Sequence, residues 1–490
     1  MQSFIQYRRI GRDVKAQIRR DTEKGHLAPS TGNRHAHNLQ ESHHDSVQGA
    51  LCAVSVNDPS QRTSLSSDRT QTPDANEFVP HLDGVVAQEH TSAKGERSQI
   101  FVVGWTCDKD ENNPHNWTKA KRAGCTLLVA FIAFVCMTAS SIDSAIAPQA
   151  AKEFGVSPVV ESLATGKRGT RFTIDQSLTL SQAQFLIGSA AGSLVTGPFS
   201  ETFGRNPVYI GTMLFFMIFT MASGLSPNIG AQLTFRFFAG VFGCAPLTCA
   251  GGTISDLWNG LEKIYGFPLF AIPGFGGAML GPVIGSYIGT GSLPSWRWSE
   301  WITLIMAALI TTILVIFLPE THPSTIQSWK AQQLRRLLDD DRYQSKAEVA
   351  QMTFWKRMKV ALTRPFLLCG EAIVICVAIY LSVIWAVLFT FLDGYTYVFT
   401  NVYHTSQGLT NAIFAAMYVG VLLASPLVLL VYKWTKEDME KEKRKGHFSI
   451  RPETRLWFAM VGGAWAIPIS LFWLAWTDYV RMCTFSCSVL

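Results

Sequence analysis

Residues 273–286 read Pro273-Gly274-Phe275-Gly276-Gly277-Ala278-Met279-Leu280-Gly281-Pro282-Val283-Ile284-Gly285-Ser286, inside an uncharged apolar run over 267–288. A helix needs about 20 such residues to cross a hydrocarbon core about 30 Å thick. The glycines permit close backbone contact with a neighbouring helix, and the two prolines permit a bend. Apolar runs recur on either side, at 125–148, 183–199, 208–225, 233–252, 301–318, 366–392, 409–432 and 456–476. With 267–288 they predict nine spans, arranged as six, a long polar stretch and three.

Composition agrees with a membrane protein. The chain has 490 residues, of which 16% are charged and 48% hydrophobic, whereas soluble domains carry about 25% charged residues. The polar residues concentrate in 1–122, a stretch without sustained periodicity that is expected to be a disordered cytosolic tail. A soluble enzyme is therefore a poor fit. The net charge of +6 falls in loops between apolar runs, so it informs topology and does not point to nucleic acid. Most of the ten cysteines sit within apolar runs, where Cys acts as a small hydrophobe, and none forms a C-x-x-C pair. Arg34-His35-Ala36-His37 and His43-His44-Asp45 read as part of the solvated tail. No cofactor or metal is implied, and the N-terminus lacks an apolar core of signal-peptide type.

Positive charge gives an expected orientation. Residues 319–364 carry nine Lys/Arg and 433–455 carry eight, while 226–231 and 400–408 carry none. Both basic loops are predicted to face the cytosol, together with the N-terminus. Within the first of them, Gln332-Gln333-Leu334-Arg335-Arg336-Leu337-Leu338 has the pattern of an amphipathic surface helix. Six spans before a long basic loop resemble one half of a two-fold repeat. The domain boundaries that follow are 1–122 for the tail, 123–318 for the first half, 319–365 for the central loop and 366–477 for an incomplete second half. Two segments fit badly. Deleting 167–184 would join Leu163-Ala164-Thr165-Gly166 to Phe185-Leu186-Ile187-Gly188 as one membrane helix, so this polar insertion is read as a retained intron, the alternative being a real extracytosolic loop before a short helix. Residues 478–490 are unpatterned and read as an aberrant, truncated tail.

Three motifs carry the functional reading. Gly197-Pro198-Phe199-Ser200-Glu201-Thr202-Phe203-Gly204-Arg205-Asn206-Pro207 fills the turn between the second and third spans, where Glu201 and Arg205 can pair or cap helix ends. Arg236 stands inside the fourth span, where an unpaired charge costs at least ~2.5–3.5 kcal/mol, so it needs an interior partner. The fifth span holds the glycine and proline series quoted above. In this order and at these positions, the motifs resemble the major facilitator superfamily, and more narrowly its twelve-span drug:proton antiporter branch, including fungal multidrug and toxin exporters. The turn is similar to the branch's G-x-x-x-[DE]-x-x-G-R pattern, with Glu201 for the usual Asp. Arg236 matches its fourth-span arginine. Gly277-x-x-x-Gly281-Pro282-x-x-Gly285 matches its antiporter motif, with Ser286 replacing the last glycine. Asn113-Pro114-His115-Asn116-Trp117, Trp296-Arg297-Trp298 and Leu318-Pro319-Glu320-Thr321 also look like that fungal group.

The resemblance implies an all-α major facilitator bundle, with six spans plus an incomplete second half of three. It implies a membrane transporter and not an enzyme, with small apolar, aromatic or cationic substrates, protons and the lipid bilayer as partners and no nucleic acid. Export of drugs, toxins or secondary metabolites in exchange for protons is the expected function, at the plasma membrane. Arg236 would couple proton binding to rocking of the two halves, Glu201 and Arg205 would latch the cytosolic side, and Gly281 with Pro282 would bend the fifth helix. Asp143 in the first span and Glu371 in the seventh are intramembrane acids able to trade a proton for a substrate. Tyr380, Trp385 and Phe389 can line a substrate cavity, with Tyr395 and Tyr397 nearby. The alternatives are a nutrient uptake transporter and a non-transporting, vestigial chain, the second favoured by the insertion and the missing spans.

Overall fold

The computed structural model describes residues 1–23, 82–91, 97–146, 176–290, 295–350, 354–397 and 414–444, together with Ile469 and Phe472. In chain order the elements are α1 (Gln2–Glu23), β1 (Val85–Thr91), β2 (Arg97–Val103), α2 (Lys119–Ser141), α3 (Gln176–Phe203), α4 (Arg205–Gly224), α5 (Ile229–Gly243), α6 (Ala245–Leu257), α7 (Lys263–Thr290) and α8 (Trp298–Phe317). There follow α9 (Pro323–Leu338), β3 (Tyr343–Ser345), α10 (Lys346–Val349), α11 (Phe354–Leu368), α12 (Ala372–Tyr397), α13 (Phe414–Ala424) and α14 (Leu427–Arg444). The chain divides into two compact units, one formed by Met1–Phe4, Trp117–Thr325 and Met352–Leu490, the other by Ile5–Asn116 and Ile326–Gln351.

The first unit is a helical bundle. Among the described residues, six helices are long and apolar enough to cross a membrane, or seven if the pair around residues 369–371 is one span. Helices suit a bilayer because every backbone polar group is satisfied within the segment. Thr118 accepts from the Lys121 N–H at the start of α2, and Asn228 accepts from the Ala231 N–H at the start of α5, so each helix begins on a side-chain cap. Val129, Ile132, Cys136, Met213, Phe216, Ile254 and Leu314 pack into one buried cluster drawn from α2, α4, α6 and α8. Phe215, Ile218, Ile305, Leu309 and Ile316 point outward, as apolar side chains do where lipid is the solvent.

Glycine sets how closely the helices approach. A Cβ on Gly188 would lie 2.1 Å from the Phe237 carbonyl oxygen, and one on Gly240 would lie 2.1 Å from that of Phe185. These positions bring α3 and α5 into backbone contact, the packing that small residues allow in membranes.

Two expectations about the spans change, and one holds with a junction inside it. The run at 366–392 is not one helix: α11 ends at Leu368 and α12 starts at Ala372. The run at 233–252 holds as one candidate span, Ile229–Leu257, within which α5 and α6 meet at Cys244 and Pro246 lies in the first turn of α6, where its missing N–H is harmless. The suspected insertion at 167–184 is helical over residues 176–184, which form the first turns of α3. Residues 167–175, the span expected at 456–476 (apart from Ile469 and Phe472) and the tail at 478–490 lie outside the described residues.

The second unit corrects the reading of 1–122 as a structureless tail over its described residues, and adds a small sheet to an otherwise helical fold. Residues Ile10, Val14, Gln17 and Asp21 of α1 are buried, at the spacing of one helical face. β1 and β2 pair antiparallel, from Val85 opposite Val103 to Thr91 opposite Arg97, and β3 joins β2 in parallel, with Phe101 opposite Tyr343 and Val103 opposite Ser345. Ile10, Val14, Leu82, Phe101, Val103, Ile326, Leu334 and Tyr343 form its core. The apolar face of α9, which includes 332–338, is thus covered from within the unit. The Lys330 ammonium is buried, donating to the Gly104 carbonyl at 3.2 Å and to Thr106 Oγ1 at 2.7 Å. Burial pulls its pKa down and Asp110 pushes it back.

Candidate functional site

Arg236 sits on α5, 3% exposed, and all of its guanidinium nitrogens are engaged. Nε donates to Glu300 Oε1 at 2.7 Å and Nη1 to the Ala139 carbonyl at 2.7 Å. Nη2 contacts Glu300 Oε1 at 2.6 Å and also Asp143 Oδ2. Asp143 lies in the 3-10 turn Ile142–Ala145 that follows α2, and its Oδ1 accepts from Ser299 Oγ at 3.3 Å. Glu300 lies in the first turn of α8 and accepts from Ser223 Oγ at 2.8 Å. The arginine expected to need an interior partner has two, brought together from α2, α5 and α8. Asp143 was legible as an acid within an apolar run. Glu300 was not, because it stands one residue before the apolar run that begins at 301.

At the turn between α3 and α4 the expected pair does not form. Arg205 Nε donates to Asp256 Oδ2 at 3.2 Å, and its Nη1 donates to Ser200 Oγ at 2.5 Å. Glu201 is exposed. Geometry separates the two residues of the turn, since Arg205 turns inward towards α6, where a Cβ on Gly252 would lie 2.3 Å from Nη2. The acid that serves the start of α4 is Glu320, fully buried beyond α8. Its Oε1 accepts from the N–H of Arg205 at 3.0 Å, Thr321 at 3.0 Å and His322 at 2.9 Å, and Oε2 from that of Asn206 at 3.3 Å. A carboxylate at a helix N-terminus satisfies orphan N–H groups and opposes the helix dipole. Burial pushes the Glu320 carboxyl up from its ordinary value, while the N–H groups of His322, Arg205 and Asn206 pull it back.

Gly204 makes that approach possible, with φ at +97° and space for a Cβ only 2.7 Å from Glu320 Oε2. Gly204→Ala is expected to lower stability by about 1–3 kcal/mol, the cost of a non-glycine residue held at positive φ. A thermal melt of the detergent-solubilised variant reads this, and an unchanged midpoint would show that the turn relaxes freely.

The fifth-span motif lies on α7, which runs without interruption from Lys263 to Thr290 through Pro268, Pro273 and Pro282. Gly277 and Gly281 face α2. A Cβ on Gly277 would lie 2.1 Å from the Phe134 carbonyl oxygen, and one on Gly281 would lie 2.1 Å from Ser141 Oγ. The residues expected on the seventh span are not drawn to Arg236. Glu371 is exposed at the break before α12, and Tyr380 is 53% exposed. Trp385 sets its ring 6.0 Å from that of Phe275 on α7. The side chains of Phe389, Tyr395 and Tyr397 lie outside the described residues. So do His35, His37, His43 and His44. Among the described residues, no group of three or more His, Cys, Asp or Glu is placed to hold a metal ion.

The family profile of the Major Facilitator Superfamily matches residues 128–490. The chain belongs to the Major Facilitator Superfamily. It is 39% identical over 482 residues to the MFS-type transporter kojT of Aspergillus flavus, covering 98% of this chain and 81% of kojT. It is 32% identical to the citrinin biosynthesis cluster MFS transporter mrr1 of Monascus ruber, over 77% of this chain and 72% of that protein. Among solved structures, the MFS proton:xylose symporter XylE is similar with a TM-score of 0.46 and 14% identity, covering 65% of this chain and 70% of XylE. As a member of the superfamily the chain is a membrane transporter of small molecules and not an enzyme. The family match includes 478–490, the segment that the sequence pattern presents as aberrant.

Proposed function

We propose that this transporter exports a small apolar, aromatic or cationic molecule, of secondary-metabolite type, in exchange for protons, and that it belongs to the drug:proton antiporter branch. The observation that carries the reading is Arg236 buried against Asp143 and Glu300. Charges within a membrane are costly, and where they persist they mark ion and proton pathways. The Gly277 and Gly281 contacts between α7 and α2 support the same branch, as do the names of relatives, one of which is called a citrinin biosynthesis cluster transporter. Rocking of one half of the bundle against the other would carry the substrate outward while a proton enters.

The test uses everted membrane vesicles containing the full chain, with ethidium, a flat aromatic cation, as probe. An imposed gradient, acidic inside, is expected to drive ethidium accumulation, and collapse of the gradient with a protonophore to abolish it. Accumulation that ignores the gradient would overturn proton coupling. Ethidium leaving everted vesicles under this gradient would favour uptake over export.

Orientation follows from the basic loops. Both 319–364 and 433–455 are placed in the cytosol, with the N-terminus, at the plasma membrane. A cysteine introduced at Asp341 should resist an impermeant thiol reagent in intact cells and react once the membrane is opened. Labelling from outside would invert the topology.

A further inference from the structure

Helix α11 turns sharply away from the span that follows it. Residues Met358–Leu368 meet Ala372–Val387 of α12 at 84° across a short break. Cys369, Gly370 and Glu371, which form the break, are all exposed. Irregular backbone exposed to lipid does not occur within the hydrocarbon core, and an exposed carboxylate is costly there. The break therefore sits at the membrane surface. With 26 residues, α12 is long enough to cross from that point by itself. A helix set almost perpendicular to it then runs along the surface.

The side chains of α11 suit that position. Residues 352–370 carry four Lys or Arg and no Asp or Glu. At about 100° per residue, Trp355, Lys356, Lys359, Phe366 and Leu367 fall within an arc of about 120°, and all five are exposed. Trp355 is 75% exposed and Leu367 74%. Arg364 is exposed too, about 60° beyond the edge of the arc. Met358 lies outside the arc and is buried, and α11 packs against α3. In water the three large apolar side chains of this face would be a liability. Beside a bilayer they sink to the boundary of headgroups and acyl chains, while the lysine stems hold their ammonium groups at the level of the phosphates. Tryptophan is favoured at that depth.

We propose that α11 lies flat in the membrane surface and binds the anionic headgroups of phospholipids through Lys356, Lys359 and Arg364, with Trp355, Phe366 and Leu367 inserted beneath them. Charge complementarity selects the occupant, since a uniformly basic face attracts a negatively charged leaflet. That this leaflet is the cytosolic one rests on the orientation proposed above; the lipid preference does not.

Spin-labelled phosphatidylserine and phosphatidylcholine, each added to phosphatidylcholine bilayers holding the purified full chain, read the preference as the share of lipid slowed by the protein. The wild type should hold phosphatidylserine at least about twofold over phosphatidylcholine, and high salt should weaken the preference. Lys356→Gln with Lys359→Gln and Arg364→Gln should lose most of it, whereas Lys356→Arg with Lys359→Arg should keep it. No preference in the wild type, or an equal preference in the glutamine variant, overturns the proposal. Depth is read separately, with phosphatidylcholine brominated near the headgroup end of its acyl chains. Such lipid should quench a component of the tryptophan emission that Trp355→Phe lacks. No difference between wild type and Trp355→Phe overturns the proposal, and it is the result expected if a second copy or a soluble acidic protein covers this face. Both bilayers are symmetric, so the preference does not depend on topology. Preference and quenching found together with outside labelling of a cysteine at Asp341 would support the headgroup contact and overturn the orientation alone.

Discussion

Arg236→Ala is expected to abolish gradient-driven transport and to destabilise the folded bundle by about 3–5 kcal/mol, the cost of removing one partner from a buried ion pair. The substitution leaves Asp143 and Glu300 facing each other and strips the Ala139 carbonyl of its donor, Nη1 at 2.7 Å. Membrane insertion should not suffer, because a charge has been taken out of an apolar segment. The loss therefore appears in thermal melting of the solubilised protein and in ethidium accumulation, and not in the amount delivered to the membrane. Replacing the whole set, as Asp143→Asn with Arg236→Gln and Glu300→Gln, should recover most of the melting temperature, since a neutral buried set avoids the desolvation cost. It should not recover transport. Arg236→Lys keeps the charge but cannot fork to three acceptors, so its stability should fall between the two. Normal transport by Arg236→Ala would remove the cluster from the mechanism.

The spans were legible because length and hydropathy are local properties, and Arg236 was legible because a lone charge in an apolar run must find a partner. The partner's identity was only half readable. Asp143 shares the apolar setting, whereas Glu300 looks like a loop charge until α8 is seen to begin at Trp298. The series Ser295-Trp296-Arg297-Trp298-Ser299-Glu300 held the signal, an acid in the first turn of a helix, which the dipole favours. Arg205 shows the opposite difficulty. A nearby acid, Glu201, suggested a local pair, but Asp256 is 51 residues away along the chain and is brought close only by the packing of α6. In the N-terminal region the buried stripe of α1 includes Gln17 and Asp21 among many basic residues, so apolar periodicity never becomes sustained. Its burial depends on Phe101, Leu334 and Tyr343, which the chain supplies much later or from a strand pairing that no single window reveals.

The antiporter-like glycines yield the second large effect, and two neighbouring positions should answer differently to the same methyl group. At Gly277 a Cβ would meet backbone, the Phe134 carbonyl oxygen at 2.1 Å and the Thr138 nitrogen at 3.0 Å. No side-chain change on α2 relieves that, so Gly277→Ala must force α7 and α2 apart. Overpacking of this kind costs about 1–3 kcal/mol and sometimes more. The displacement also reaches the ion cluster, because α2 supplies the Ala139 carbonyl and leads into the turn that holds Asp143. Gly277→Ala is therefore expected to lose both thermal stability and transport. At Gly281 the nearest atom is the Ser141 hydroxyl, at 2.1 Å, with the Thr138 carbonyl oxygen next at 3.1 Å. Gly281→Ala alone should be comparably damaging, since Ser141 is buried and its hydroxyl has little room to rotate away. Adding Ser141→Ala removes the clashing oxygen and should restore most of the melting temperature and the ethidium accumulation. The same Ser141→Ala change added to Gly277→Ala should restore neither. Equal rescue at both positions would show that the spacing of α2 and α7 is set elsewhere in the bundle; rescue at Gly281 alone would place it on the backbone contact at Gly277.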